Sequence, residues 1–384
     1  MEQDAVLIKN GTVIDPANKV HKKLDVALLG DKIIGVGDYS KETTKFMIDA
    51  EGCLVTPGLI DHHAHIAPLI RNGIPAEAIC FAAGVTTIVD AGSNGCLDYE
   101  ANRTFLQHSK LTIKPYINIY SKGLTGLPEL EDLDPSKFDE GALKELFAKY
   151  PGELQGLKIR TSKPIVKDWN YKSLAKTVEI ADRIGVPVMV HCTNPPGTIA
   201  ELLSILRPGD VMTHMYQNIG HTLLDDQKKV IKEAYEAREK GILFEAADAR
   251  AHFSFEVSEP AIKEGFLPDF IGTDLTVLSM YQRPTSFSLA MQISKYAFLG
   301  IPFDEVIKMT TINPAKDLHL DQERGSLTVG HKADVAIFKK IEHENEFGDR
   351  PYYNPERALR KGNILYKPML TIKDGQMVFR DMLF

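Results

Sequence analysis

Eight short apolar runs, most of them separated by helical stretches, occupy the middle of this chain and leave it very few folds. The first carries Cys53-Leu54-Val55 through Pro57-Gly58 to His63; the others cover residues 86–90, 114–120, 156–160, 186–191, 210–214, 242–246 and 269–274. Strands alternating with helices predict a parallel sheet with crossover helices, and eight such strands predict an α/β fold of the (β/α)8 barrel (TIM) type. Helices are expected over 138–150 and 224–240. A third is expected after Asn170, where Leu174, Val178 and Ala181 fall on one stripe that stops near Gly185.

The two ends of the chain read as β structure. Residues 6–9 and 12–15 flank Asn10-Gly11, a strong hairpin signal, and residues 25–29 and 32–36 flank a second turn at Gly30-Asp31. Residues 333–338 and 370–379 have the same character. Together the ends predict a small composite β-sandwich domain from 1–54 and 325–384, around a catalytic barrel over 55–324. A barrel takes about 250 residues, so the chain is long enough for both. The charged stretch 341–363 is expected as an irregular surface loop.

Composition removes several function classes. The net charge is −7 with both signs interspersed, and no basic tract offers a nucleic-acid surface. No apolar run approaches the roughly 18 residues that span a bilayer, so no membrane association is expected. Met1-Glu2-Gln3-Asp4 lacks the positive start of a signal peptide. Cys53, Cys80, Cys96 and Cys192 show no CxxC spacing and read as reduced thiols of a cytoplasmic protein.

Barrel enzymes place their chemistry at the C-terminal ends of the strands. There this sequence puts His63 and His65, Lys158, His191, His214 and Asp274. Side chains alternate along a strand, so His63 and His65 face the same way and can close on one ion. Imidazole suits zinc and its neighbours. Lys158 is no ligand as an ammonium. In a crowded cationic site its pKa falls, and the free amine can capture carbon dioxide to give an anionic carbamate that bridges two metals.

The run from Pro57-Gly58-Leu59-Ile60-Asp61 into His63-Ala64-His65 resembles the amidohydrolase superfamily in its dihydroorotase/hydantoinase-like branch. Gly84-Val85-Thr86-Thr87, Gly156-Leu157-Lys158, Val190-His191, Thr213-His214, Thr273-Asp274 and the segment from Gly325 to Asp334 extend the resemblance over essentially the whole chain. It implies two divalent metal ions, with zinc the first choice and manganese, iron or cobalt open. By the same resemblance His63, His65 and Asp274 hold one ion, and His191 and His214 hold the other. N6-carboxylysine at Lys158 and a hydroxide bridge them, and Asp274 passes the proton to the leaving group. Each histidine then needs an outer hydrogen-bond partner.

Departures from the family pattern narrow the substrate. Ala67 stands where dihydroorotases of this type carry an arginine, and adenine deaminases of the related branch lack a lysine in the Gly-Leu-Lys context. The chain is more similar to a group that deacetylates small carboxylates, such as acetylated 2-hydroxy acids or N-acetyl amino acids. A cyclic-amide hydrolase is the alternative, and a catalytically silent scaffold of the same fold stands third. Arg160, on the same strand face as Lys158, and Arg283, after the last strand, are the expected substrate-binding residues. Asn94, Tyr120, Gln217, His221 and Arg250 are weaker candidates. His252 and His319 read as surface or core residues, and Cys192 as an inert thiol. A small-molecule substrate and self-association into a homo-oligomer complete the expectations.

Overall fold

The computed structural model describes residues 4–124 and 131–384. Its centre is one sheet of eight parallel strands in sequential order: β1 (Leu59–Ala64), β2 (Val85–Ala91), β3 (Thr112–Asn118), β4 (Gly156–Arg160), β5 (Val188–His191), β6 (Val211–Thr213), β7 (Leu243–Ala247) and β8 (Phe270–Gly272). The sheet closes where the carbonyl of His63 accepts from Thr273 N at 3.2 Å and Asp274 N at 2.7 Å, and Ala64 bridges Leu275 in parallel. The strands are buried along most of their length for the reason such barrels require: side chains fill the inside while helices cover the outside. Ile60, Val89, Tyr116, Met189, Val211 and Phe270 belong to one cluster.

The predicted helices form over Glu140–Lys149, Lys172–Ile184 and Lys232–Glu239. Gly185, in the left-handed region at φ 83°, ends the second of them as its position suggests. The third is shorter than expected because Leu224 and Val230 form a β-bridge before it begins.

The ends of the chain build two further sheets, of four and six strands. Val13, Val26, Leu28, Val55, Val335, Ile337 and Leu370 share one buried cluster across both sheets. Asn10-Gly11 does not make the predicted hairpin. Val6–Lys9 pairs with Asp25–Leu29 and Phe46–Asp49, whereas Thr12–Asp15 pairs with Val20–Lys23 and Cys53–Pro57. The chain crosses between sheets at this turn, and Gly11 serves close packing: a Cβ there would lie 2.5 Å from Val55 Cγ2. The second turn, at Gly30-Asp31, is a hairpin as expected.

Residues 341–363 also differ from expectation. They lie largely within a two-stranded ribbon, Val335–Gly348 against Leu359–Lys373. Irregularities between Ile337 and Phe338 and between Glu342 and Asn345 break the two-residue alternation, and the exposed sides accept charge. This hid the ribbon from pattern reading. Its tip reaches the barrel mouth. Arg350 donates to the Phe253 carbonyl at 2.6 Å and to Asn218 Oδ1 at 2.5 Å, and Tyr352 N donates to the Arg283 carbonyl at 2.9 Å.

Candidate metal centre

The six predicted residues meet in one cavity of about 110 Å³ at the C-terminal mouth of the barrel. β1 supplies His63 and, one residue past its end, His65; β4 supplies Lys158, and β5 ends on His191. His214 follows β6 at φ 65° and Asp274 follows β8 at φ 50°. Left-handed backbone at non-glycine residues is uncommon and gathers at functional sites. Two glycines make room. A Cβ on Gly92 would lie 2.4 Å from Lys158 Cβ, and one on Gly272 would lie 2.6 Å from His63 Cβ.

Two groups of three donors face each other, His63 with His65 and Asp274, and His191 with His214 and His252. Asp274 stands between them. Its Oδ1 is 3.2 Å from His65 Nε2 and 3.5 Å from His63 Nε2, and its Oδ2 is 3.6 Å from His252 Nε2 and 4.0 Å from His214 Nε2. Lys158 Nζ is 3.2 Å from His63 Nε2.

The outer nitrogens are occupied. His63 Nδ1 pairs with Glu245 Oε2 at 2.7 Å, His65 Nδ1 with Ser93 Oγ at 3.1 Å, and His191 Nε2 with Ser162 Oγ at 3.1 Å. His214 Nδ1–H donates to the Ala247 carbonyl at 2.6 Å, and His252 Nδ1 pairs with Thr193 Oγ1 at 2.8 Å. These contacts aim the second nitrogen of each ring inward. The inner Nε2 of His214 is buried with no hydrogen-bond partner.

Burial sets the charge states. It holds His63, His191 and His214 below the usual imidazole range and pushes His252 down to about 4. It also pushes Lys158 down to about 8, against the pull of Glu245 and Asp274. Asp274 goes the other way: despite burial, His63 and His65 hold it well below the usual carboxylate range. Neutral imidazoles, an ionised carboxylate and an orphaned buried ring nitrogen fit a nitrogen- and oxygen-ligated divalent cation.

Beneath the cavity, Glu245 also takes His62 Nδ1 at 2.5 Å, while His62 Nε2 meets Asp317 Oδ2 at 3.0 Å. Burial opposes a charge on His62, but the two carboxylates overcome it and push its pKa up to about 9. A raised folded-state pKa contributes stability that is complete below the ordinary value of 6.5 and lost as pH rises through about 9. The melting-temperature advantage of the wild type over His62→Gln is therefore expected to be largest at the acid end of that window and to shrink across it. An advantage that grows with pH would contradict this charge assignment.

Other expectations fare differently. Arg160 lines the cavity, but Glu131 already holds its guanidinium on both sides, with Nε to Oε1 at 2.6 Å and Nη2 to Oε2. Arg283 does not line the cavity; its guanidinium sits 3.8 Å over the Phe287 ring. Of the weaker candidates, only Arg250 is among the lining residues. His252 is a correction, since it belongs to the site. It lies on a loop beyond β7, where no strand register points to it. Glu245 also went unnoticed, although a carboxylate inside the apolar run 242–246 was a signal for it. Cys192 is buried and donates to the Thr213 carbonyl at 3.0 Å, and burial pushes its thiol up to about 12. His319 lies in a separate cavity with Gln155 and Asp317.

Comparison with known proteins supplies the family: the amidohydrolase family model matches residues 54–378. The chain belongs to the amidohydrolase family. This amidohydrolase is 34% identical to a deacetylase of Agrobacterium fabrum over 332 residues, 85% of this chain and 80% of the relative. A deacetylase of Enterococcus faecalis is 30% identical over 378 residues, 97% of this chain and 98% of the relative. Among solved structures, an adenine deaminase superposes with a TM-score of 0.87 at 26% identity, covering 98% of this chain and 99% of that one. A dihydroorotase gives 0.86 at 29% identity, covering 97% and 98%. Among the described residues, no helix is long and apolar enough to cross a membrane.

Proposed function

We propose that this amidohydrolase is a binuclear metal-dependent deacetylase that cleaves an acyl ester or amide of a small carboxylate. The observation that carries the reading is the pair of donor groups facing each other across Asp274, beside a buried lysine. In this reading His63, His65 and Asp274 hold one ion, His191 and His214 with His252 beside them hold the other, and a carboxylated Lys158 serves both. Divalent ions bound there, zinc first among them, supply Lewis acidity and a water of lowered pKa.

The chain's own groups do the rest. The Lys158 amine, partly deprotonated near neutral pH, adds to carbon dioxide and releases one proton, leaving a carbamate anion in place of an ammonium. Asp274 is ionised and central, so it takes a proton from the attacking water and returns it to the departing alkoxide or amine. Gly92 and Gly272 leave the space that Lys158 and His63 need. Ala67 packs with Ile70 and Leu124, and Leu124 lines the cavity. Leu124 gives the cavity an alkyl surface that suits a hydrocarbon substituent, and Ala67 offers no clamp of the kind a dihydroorotase arginine makes.

Elemental analysis of protein prepared without chelators, paired with assays on an acetylated 2-hydroxy acid, an N-acetyl amino acid and a hydantoin, tests the reading. The expected result is close to two metals per chain with acetate release. Two metals with ring opening alone would replace it with a cyclic amidase. No metal and no turnover after zinc and bicarbonate are supplied would replace it with the silent scaffold.

A further inference from the structure

Three cationic side chains line the cavity: Lys158, Arg160 and Arg250. Lys158 is committed to the metal centre in the reading above, and Arg160 is neutralised by Glu131. Arg250 is half-buried at the mouth and pairs with no carboxylate among the described residues. A guanidinium partly withdrawn from water without a counter-ion is unfavourable unless an anion arrives to meet it.

The backbone that presents Arg250 is built with unusual care. Ala249, directly before it, adopts φ 43°, a conformation that costs a residue with a Cβ. Asp248 is buried and anchored by a salt bridge to the equally buried Lys295 and by the Tyr296 hydroxyl at 2.8 Å. Lys295 in turn lies 4.0 Å over the Phe253 ring. His252 N donates to the Asp248 carbonyl at 3.0 Å, closing a turn with Arg250 inside it, and Ala249 N is tied to the Thr273 carbonyl at 3.0 Å beside Asp274. A buried ion pair and a strained residue thus hold over the donor groups' cavity a guanidinium that has no carboxylate partner among the described residues.

We propose that Arg250 is the residue that recognises the substrate's carboxylate, with the Asp248–Lys295 pair as its positioning device. The inference rests on the deacetylase reading for the class of substrate. It assigns to Arg250 the role that sequence position suggested for Arg160 and Arg283.

The test uses metal-loaded enzyme and two matched pairs: O-acetyl-lactate with O-acetyl-lactamide for turnover, and lactate with lactamide for calorimetric binding. In Arg250→Met the acid-over-amide ratio of kcat/KM is expected to fall about 100-fold, the scale of a lost buried charge pair, mostly through KM. The same variant is expected to bind lactate more weakly while the lactamide curve moves much less, and Arg250→Lys should recover part of the acid preference. A ratio unchanged in Arg250→Met, or acid and amide weakened equally, overturns the inference, because a carboxylate held by the metals alone would behave that way. If the wild type releases no acetate from either ester, the deacetylase reading fails, and the binding comparison still decides on Arg250. A wild type that binds lactate no better than lactamide also overturns the inference.

Discussion

Lys158→Ala is expected to lose metal and hydrolysis together. The side chain is buried, its nitrogen lies 3.2 Å from His63 Nε2, and burial holds its pKa at about 8, where a useful fraction is free amine. Alanine leaves Asp274 as the sole anionic donor between the two sets of imidazoles among the described residues. Metal content should fall from two per chain to one or fewer. Turnover should drop by about 1,000-fold or more, the rate equivalent of the several kcal/mol a Lewis-acid centre supplies. Elemental analysis and acetate release measured on one preparation check both halves. Two metals retained with undiminished turnover would sink the carbamate assignment.

Glu245→Gln is expected to weaken both the metal centre and the fold. Glu245 is fully buried and accepts from His63 on one oxygen and His62 on the other. Despite burial, His63 and His62 hold its carboxyl well below the usual range. A depressed carboxyl pKa contributes stability above the ordinary carboxylate range and loses it as pH falls through the folded-state value. Glutamine keeps the shape but has only one accepting oxygen and no charge to offset His62. Chelator competition should show metal affinity reduced about 10- to 100-fold, the usual cost of losing an outer partner. Denaturant unfolding should show a loss of about 3–5 kcal/mol, as when one member of a buried ion pair is removed. Unchanged affinity in the variant would detach Glu245 from the metal site.

The barrel was legible because the strands are short apolar runs, most of them running into a polar residue at or just past the end, where barrel enzymes place their chemistry. His63, His65, Lys158, His191, His214 and Asp274 could therefore be read by register alone, and the structure brings them into one cavity. His252 could not, and Arg250 only as a weaker candidate, because they sit on an irregular loop whose shape depends on Asp248 finding Lys295, a residue 47 positions away. Glu131, which takes up the charge of Arg160, posed the same difficulty from another loop. Asn10-Gly11 carried a genuine turn signal, but a local motif cannot reveal that its two flanking strands join different sheets. The ribbon was concealed by its irregularities and exposed charges rather than by any lack of pairing.

The six-stranded sheet has a consequence for how the molecule is made. Cys53–Pro57, which leads directly into β1, takes its antiparallel neighbour from residues 335–339. A ribosome delivers every proposed ligand from His63 to Asp274 well before it delivers that neighbour. The nascent chain therefore carries all the proposed metal donors while the strand that leads into β1 lacks its antiparallel neighbour. Biosynthesis orders the events: a stretch translated after all of those donors completes the sheet from which the chain enters the barrel. A chain ended shortly before residue 335 would have all the proposed metal donors and leave the strand leading into β1 unpaired on that side.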